Sequence, residues 1–254
     1  MSSKDQTEDV DLKSKNKGGL RESAVVIVQA LILALIVRTL LFQPFNIPSG
    51  SMMDTLLEGD YLFVSKYSYG YSQYSVPFAA IPFSGRVWSA EPQRGDVAVF
   101  KLPRDNSTDY IKRVIGLPGD RVQMIGGVLH INGEAVKRER IEDFVDEPGR
   151  SGKTVRRYVE TLPNGVSYHT LDLVDGSIQD DTRVFEVPPG QYFMMGDNRD
   201  NSTDSRFPSV GPVPFENFVG RAEILFFSVK NGASAWMFWM WPWTVRWDRL
   251  LNDL

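Results

Sequence analysis

Asp109-Tyr110-Ile111-Lys112-Arg113-Val114-Ile115-Gly116, closed by Leu117-Pro118-Gly119-Asp120, is the stretch on which the fold turns. Aromatic and β-branched residues ended by a Pro-Gly turn spell a strand, with no helical period. Alternation along it places Tyr110, Lys112 and Val114 on one face and Asp109, Ile111, Arg113 and Ile115 on the other. Two cations therefore point in opposite directions out of an apolar strand. If the Tyr110 face is the inner one, burial penalises the charged form of Lys112 and lowers its pKa. The alternative is an edge strand on which Lys112 and Arg113 are both solvated charges that blunt aggregation.

Outward from this strand the pattern stays all-β. Asp60 to Tyr67, Gly95 to Phe100 and Gly190 to Met195 read as further strands. Gly126-Gly127, Asn132-Gly133 and Asn164-Gly165 separate strand-like runs as two-residue primed turns do, so Val122 to Val187 reads as a set of hairpins. Within it, Lys137 to Arg157 is charged with mixed sign and is expected to be a solvated insert without chemistry. Tyr69 to Trp88 is a Gly, Pro and aromatic-rich connector. Its Tyr71, Tyr74, Phe78, Ile81 and Phe83 either pack on the body or rest on lipid.

At 254 residues and 42% hydrophobic content the chain can bury the core of one large or two small domains. A net charge of -4 and unclustered Lys and Arg give no reason to expect a nucleic-acid partner. The absence of cysteine excludes disulfides, thiolate nucleophiles and cysteine-based zinc sites. Only His130 and His169 are present, and each follows an apolar or aromatic neighbour in a strand, as surface or rim histidines do.

Residues 1–22 are polar and are expected to be an unfolded tail. Ala24 to Phe42 is interrupted only by Gln29, Arg38 and Thr39, against the roughly 20 residues that span a bilayer. A cleavable leader would have a shorter apolar run and a small-x-small exit, which Arg38 to Pro44 lacks. One spanning helix over 23–42 is expected, with five basic residues before it placing the N-terminus in the cytoplasm. At the other end, Ala235 to Trp247 carries five tryptophans around Pro242, too short to span. It is expected to lie in the membrane-water interface, the alternative being aromatics packed on the protein body.

The first polar stretch after the apolar run is Asn46-Ile47-Pro48-Ser49-Gly50-Ser51-Met52-Met53-Asp54. Pro48 biases Ile47 to extended backbone and Gly50 permits a sharp turn, which sets Ser51 at a strand-to-turn junction. Ser51 and Asp54 also fit a helix capping box, so a plain cap competes with a nucleophile. The polar loop Gly196 to Arg206 lacks the Gly and later Glu of a helix-loop-helix calcium site. Most of it fits Asx turns, with Asp204 pairing with Arg206. Ser202 is a candidate third group, holding a lysine base in orientation.

Together, Pro48 to Met52, Tyr110 to Asp120 and Gly196 to Arg206 resemble, in order and spacing, the three motif blocks of bacterial type I signal peptidases. The resemblance implies a mainly β fold: an antiparallel catalytic sheet (43–121 and 188–232), an inserted hairpin-rich domain (122–187), one N-terminal transmembrane helix and, after residue 232, the Trp-rich tail. It implies a serine endopeptidase on the outer face of the cytoplasmic membrane, cutting signal peptides from preproteins after Ala-x-Ala, with no cofactor and no metal. Preproteins and membrane lipid are the implied partners, the export machinery a further one. Ser51 is then the nucleophile, Lys112 the general base, the Ser51 amide and Ser49 hydroxyl the oxyanion hole, and Ser202 the group orienting Lys112. Asp197, Asp204 and Arg206 buttress the site, while Phe45, Ile47, Met52, Leu56, Asp109, Tyr110 and Ile111 correspond to substrate-pocket positions. Asp54 departs from the family, which usually has proline there. Its carboxylate is expected to cap a helix or to raise the pKa of Lys112. Two rivals remain: a self-cleaving repressor-type Ser-Lys protease, which would carry a DNA-binding module in place of the apolar run, and a membrane-anchored β-module with no activity.

Overall fold

The computed structural model describes residues 5–75, 83–146, 152, 154–230 and 236–254, with side chains from Arg21 onward. Helix α1 (Asp5–Leu40) is longer than the apolar run that was expected to be helical. Its polar first half, expected to be an unfolded tail, continues the helix instead. A composition that cannot form a core does not forbid a helix, and propagating one already nucleated adds a hydrogen bond per residue. Arg21–Leu40 is long and apolar enough to cross a membrane, with a mean hydropathy of 2.3 and none of it buried.

The chain leaves α1 straight into sheet. Strands β1 (Phe42–Asn46), β2 (Asp60–Ser65), β3 (Val97–Lys101) and β4 (Asp109–Gly116) are followed by the hairpin segment, which holds β5 (Arg121–Ile125), β6 (Val128–Ile131), β7 (Glu134–Ala135), β8 (Lys137–Val145), β9 (Thr154–Thr161), β10 (Ser167–Asp172) and β11 (Phe185–Glu186). The chain then returns through β12 (Gln191–Met195), β13 (Val213–Pro214) and β14 (Phe218–Ser228) to a last short β15 (Asn252–Asp253). The eight-stranded main sheet has the order β1-β2-β14-β3-β4-β12-β13, with β15 alongside β14. Every pairing is antiparallel. The hairpin segment forms a three-stranded sheet, β10-β9-β8, and a four-stranded one, β11-β5-β6-β7.

Two of the three expected primed turns are as the sequence predicts. Ile125 pairs with Val128 across Gly126-Gly127, and Ile131 with Glu134 across Asn132-Gly133, with positive φ at all four turn residues. Asn164-Gly165 is different: Leu162 donates to Val166, leaving a three-residue loop in which only Gly165 takes positive φ. Pro163 accounts for it, because its fixed negative φ and missing N–H suit the start of a longer loop.

β4 is a central strand, flanked by β3 and β12, which removes the edge-strand alternative. Both of its faces are covered. Val114 packs with Phe100, Met194 and Phe218, while Ile115 packs with Val122, Leu129 and Phe193. Arg113 is therefore only 5% exposed and must be paired. Its Nη2 lies 2.6 Å from Asp197 Oδ2 and its Nε 2.9 Å from Oδ1.

The connector packs partly on the body. Tyr69 is buried, the Tyr71 hydroxyl donates to Leu40 O at 2.7 Å, and Tyr74 packs on a core cluster; Phe83 is half-buried, while Phe78 and Ile81 lie outside the described residues. The Trp-rich tail is held to the body at some residues and exposed at others. Arg246 and Arg249 tie its backbone to the body, whereas Trp236, Phe238, Trp239, Trp243 and Trp247 are each more than half exposed.

Breaking a buried ion pair strands the surviving charge at a cost of about 3–5 kcal/mol. Asp197→Ala should therefore lower unfolding stability by that amount in urea titration. Replacing Arg113 by Met and Asp197 by Leu together should recover most of it.

Candidate active site

Ser51 sits in a single 3₁₀ turn, Gly50–Met52, entered from extended Ser49 at φ -140° and ψ 151°. It is 7% exposed. The cap alternative fails on its hydrogen bonds, because Ser51 Oγ faces Lys112 Nζ at 2.8 Å and the Asp54 carboxylate points elsewhere. Ser49 Oγ, on the open side, is 3.4 Å from Ser51 Oγ. Behind the turn, Asn198 donates from Nδ2 to Gly50 O at 3.0 Å and from its backbone N–H to Ser51 O at 3.2 Å.

Lys112 reaches Ser51 from the middle of β4. Its Nζ also donates to Ile111 O at 2.8 Å and lies 5.4 Å from the centre of the Tyr110 ring. At 4% exposure the amine loses its hydration, and this burial lowers its pKa to about 8 against the opposing attraction of Asp204 and Asp197. A neutral amine has one lone pair and can accept the Ser51 proton while still donating to Ile111 O. The pair can thus perform base-assisted nucleophilic attack.

Both neighbouring carboxylates are engaged. Asp204 is fully buried and accepts from Arg206 Nε at 2.9 Å, Arg206 Nη2 at 2.8 Å and Gly196 N at 3.0 Å. Burial would raise its pKa, but Arg206 and these donors hold it below the usual carboxylate range. Asp197 is shared by Arg113 and the Thr55 hydroxyl, the latter at 2.6 Å. Glu160 on β9 grips Arg199 at 2.9 and 2.5 Å and accepts from Tyr168 on β10. This ties the polar loop to the hairpin segment. Nothing in the sequence around Glu160 or Tyr168 signalled it.

Four expectations are corrected by the geometry. Ser202 is buried beside Gly196 but makes no hydrogen bond to Lys112, whose second partner is the Ile111 carbonyl. Asp54 neither caps a helix nor faces Lys112; its Oδ2 lies 3.2 Å from Arg157 Nη1 and 3.0 Å from His169 Nδ1. The charged segment around Arg157, expected to be merely solvated, therefore reaches the loop that follows Ser51. Finally Ile47, Met52 and Leu56 are core residues at 3%, 0% and 0% exposure. Phe45, Tyr110 and Ile111 are half-buried and Asp109 exposed, so these four retain surface that a ligand can touch. Among the described residues, no group of three or more His, Cys, Asp or Glu converges as a metal site would require.

A family model described as signal peptidase, peptidase S26, matches residues 20–227. Signal peptidase I of Rickettsia typhi is 49% identical over 208 residues, covering 79% of this chain and 77% of that protein. The Rickettsia canadensis protein of the same name is 48% identical over 206 residues, covering 78% and 76%. Among solved structures, a signal peptidase I from Enterococcus faecalis V583 aligns with 28% identity and a TM-score of 0.31 over 52% of this chain and 97% of its own.

Because the Asp204 charge favours the protonated amine, Asp204→Asn should move the Lys112 titration to lower pH. Following the ¹³Cε resonance of Lys112 by NMR should show a midpoint below about 8; an unchanged or raised midpoint would contradict this electrostatic account.

Proposed function

The chain belongs to the signal peptidase family of peptidase S26, and on that premise we propose that it is a membrane-anchored serine endopeptidase that removes signal peptides after small-x-small sites, with Ser51 and Lys112 as its dyad. The observation that carries this reading is the 2.8 Å approach of Lys112 Nζ to Ser51 Oγ, both buried. At a pKa of about 8, roughly a tenth of the amine is neutral at pH 7, against about one in a few thousand for an unperturbed lysine.

Neutral Lys112 takes the Ser51 proton as Oγ adds to the scissile carbonyl carbon. The Ser51 N–H and the Ser49 hydroxyl bind the oxyanion that develops. The Lys112 ammonium then protonates the leaving amine, and the acyl-enzyme is hydrolysed by a water that Lys112 deprotonates in turn. The backbone of Asp109 to Ile111 has a ladder partner, β3, on one side only, because β12 begins its pairing at Arg113. A preprotein strand added there would run past Ser51, with Phe45, Tyr110 and Ile111 beside it. Ile47, Met52 and Leu56 support those walls from the core, which leaves room for small side chains such as Ala.

Incubation with a precursor bearing Ala-x-Ala should give a single cut after the second Ala. kcat/KM should rise with pH to a midpoint near 8, since the free enzyme needs neutral Lys112. Lys112→Arg should be inactive, because guanidinium does not deprotonate in this range. Ser49→Ala should cost roughly 10²-fold in kcat. Ser51→Ala, Lys112→Ala and the double variant should lose about equal rate, because a dyad acts as a unit. Near-normal turnover in Lys112→Ala would remove the dyad.

The membrane placement rests on Arg21–Leu40 and on the exposed aromatics of the tail. A band of rings continues from the helix foot: Phe42 meets Phe63 at 6.1 Å, Phe63 stacks on Phe226 at 4.2 Å, and Phe227 meets Trp241 at 5.0 Å. With five basic residues before the span, the catalytic sheet lies outside. External protease on spheroplasts should digest the Gln43 to Leu254 region and spare residues 1–22. Adding vesicles to protein lacking the anchor should blue-shift Trp emission; no shift, with activity kept after truncation at Gly232, would leave the aromatics as protein packing.

A further inference from the structure

We propose that Asn198 is the positioning residue of the oxyanion hole, holding the Gly50–Ser51 peptide plane so that the Ser51 N–H faces the developing charge. The inference rests on Ser51 being the nucleophile. The Gly50 carbonyl and the Ser51 N–H are two ends of one planar unit and point to opposite sides of it. Whatever grips the carbonyl aims the N–H. Asn198 Nδ2 donates to Gly50 O at 3.0 Å, and the backbone N–H of Asn198 donates to Ser51 O at 3.2 Å. One residue thus fixes the peptides on both sides of the nucleophile.

The grip is rigid from behind. Leu171 N–H donates to Asp197 O at 2.9 Å and Arg199 N–H to Leu171 O at 3.0 Å, so β10 braces residues 197–199. From the front the loop is pressed against the turn, because a Cβ on Gly196 would stand 2.5 Å from Ser51 O and 2.2 Å from Ser202 Oγ. Only glycine fits. The amide is oriented by chemistry, since Gly50 O can accept only from the NH₂ end. Its other end is left without compensation: Asn198 is 2% exposed, and Oδ1 has no hydrogen-bond partner among the described residues. Donation to a peptide oxygen also polarises that peptide and strengthens its N–H as a donor.

The test compares Asn198→Leu, which keeps the shape and removes the donor, with the unaltered full chain on an Ala-x-Ala precursor peptide. A peptide aldehyde is the second probe. Ser51 Oγ adds to its carbonyl carbon, the Ser51 proton passes to Lys112, and the carbonyl π pair moves to oxygen as an oxyanion. If Asn198 aims the hole, kcat and aldehyde affinity should fall together, by roughly tenfold or more. KM and the affinity for an uncleavable peptide of the same sequence should stay within about twofold. A brace without a catalytic part would weaken the uncleavable peptide as much as the aldehyde, and that result overturns the proposal, as does unchanged kcat. Should Asn198→Leu melt below the assay temperature, Asn198→Ser, which shortens the side chain, is read by the same ratios. Turnover retained by Ser51→Ala would instead overturn the nucleophile assignment itself.

Discussion

A lysine amine can work as a base near neutral pH only where water is kept from it and no bare carboxylate stands beside it. Most of the architecture around Lys112 follows from that constraint. A central strand supplies the dryness, since β4 is paired with β3 from Asp109 to Arg113, with β12 from Arg113 onward, and is packed on both faces. Lowering the amine from 10.5 to about 8 corresponds to roughly 3 kcal/mol of lost charge stabilisation. Because the folded pKa lies below the unfolded one, this cost to folding is full below about pH 8, fades as pH rises from there towards the unfolded value of 10.5, and is gone above it. The nearby carboxylates Asp204 and Asp197 oppose the shift, yet each is bound by a buried arginine, Arg206 and Arg113 respectively.

The segment after Ser51 is treated in the opposite way: a loop between the Gly50–Met52 turn and β2, held still. Residues 54–60 are fastened from three directions. Arg157 and His169 of the hairpin segment take Asp54, the Arg113–Asp197 pair takes the Thr55 hydroxyl, and the tail takes the rest. Arg249 donates to Thr55 O at 2.9 Å and to Asp60 Oδ2 at 2.7 Å, and Arg246 to Glu58 O at 3.1 Å. Asp60, wholly buried, also accepts from Ser228 and from Leu57 N–H. Met53 and Leu57 close the loop against Leu171 of β10. The hairpin segment and the tail therefore contribute to the site without reaching the reacting atoms.

The sequence by itself determined the main elements and the candidate residues they carry. Period-two patterning placed β4 to the residue and set Lys112 and Arg113 on opposite faces, and Gly-Gly and Asn-Gly marked two hairpins, because local sterics of turns and strands are written in neighbouring residues. The length of the apolar run located the one helix among the described residues that is suited to a membrane, and the three motif blocks named the family. What only the tertiary structure decided is where charges find their partners: that Arg113 lies buried on Asp197, that Asp54 turns to Arg157 and His169 instead of Lys112, that Ile47, Met52 and Leu56 are core, that Lys112 donates to Ile111 O and not to Ser202, and that Asn198 holds the Ser51 turn. These contacts join residues 84, 103, 115 and 148 positions apart. A charge on a strand reports its own face, but its partner is chosen by which other strands the fold lays against that face, and no local pattern encodes that.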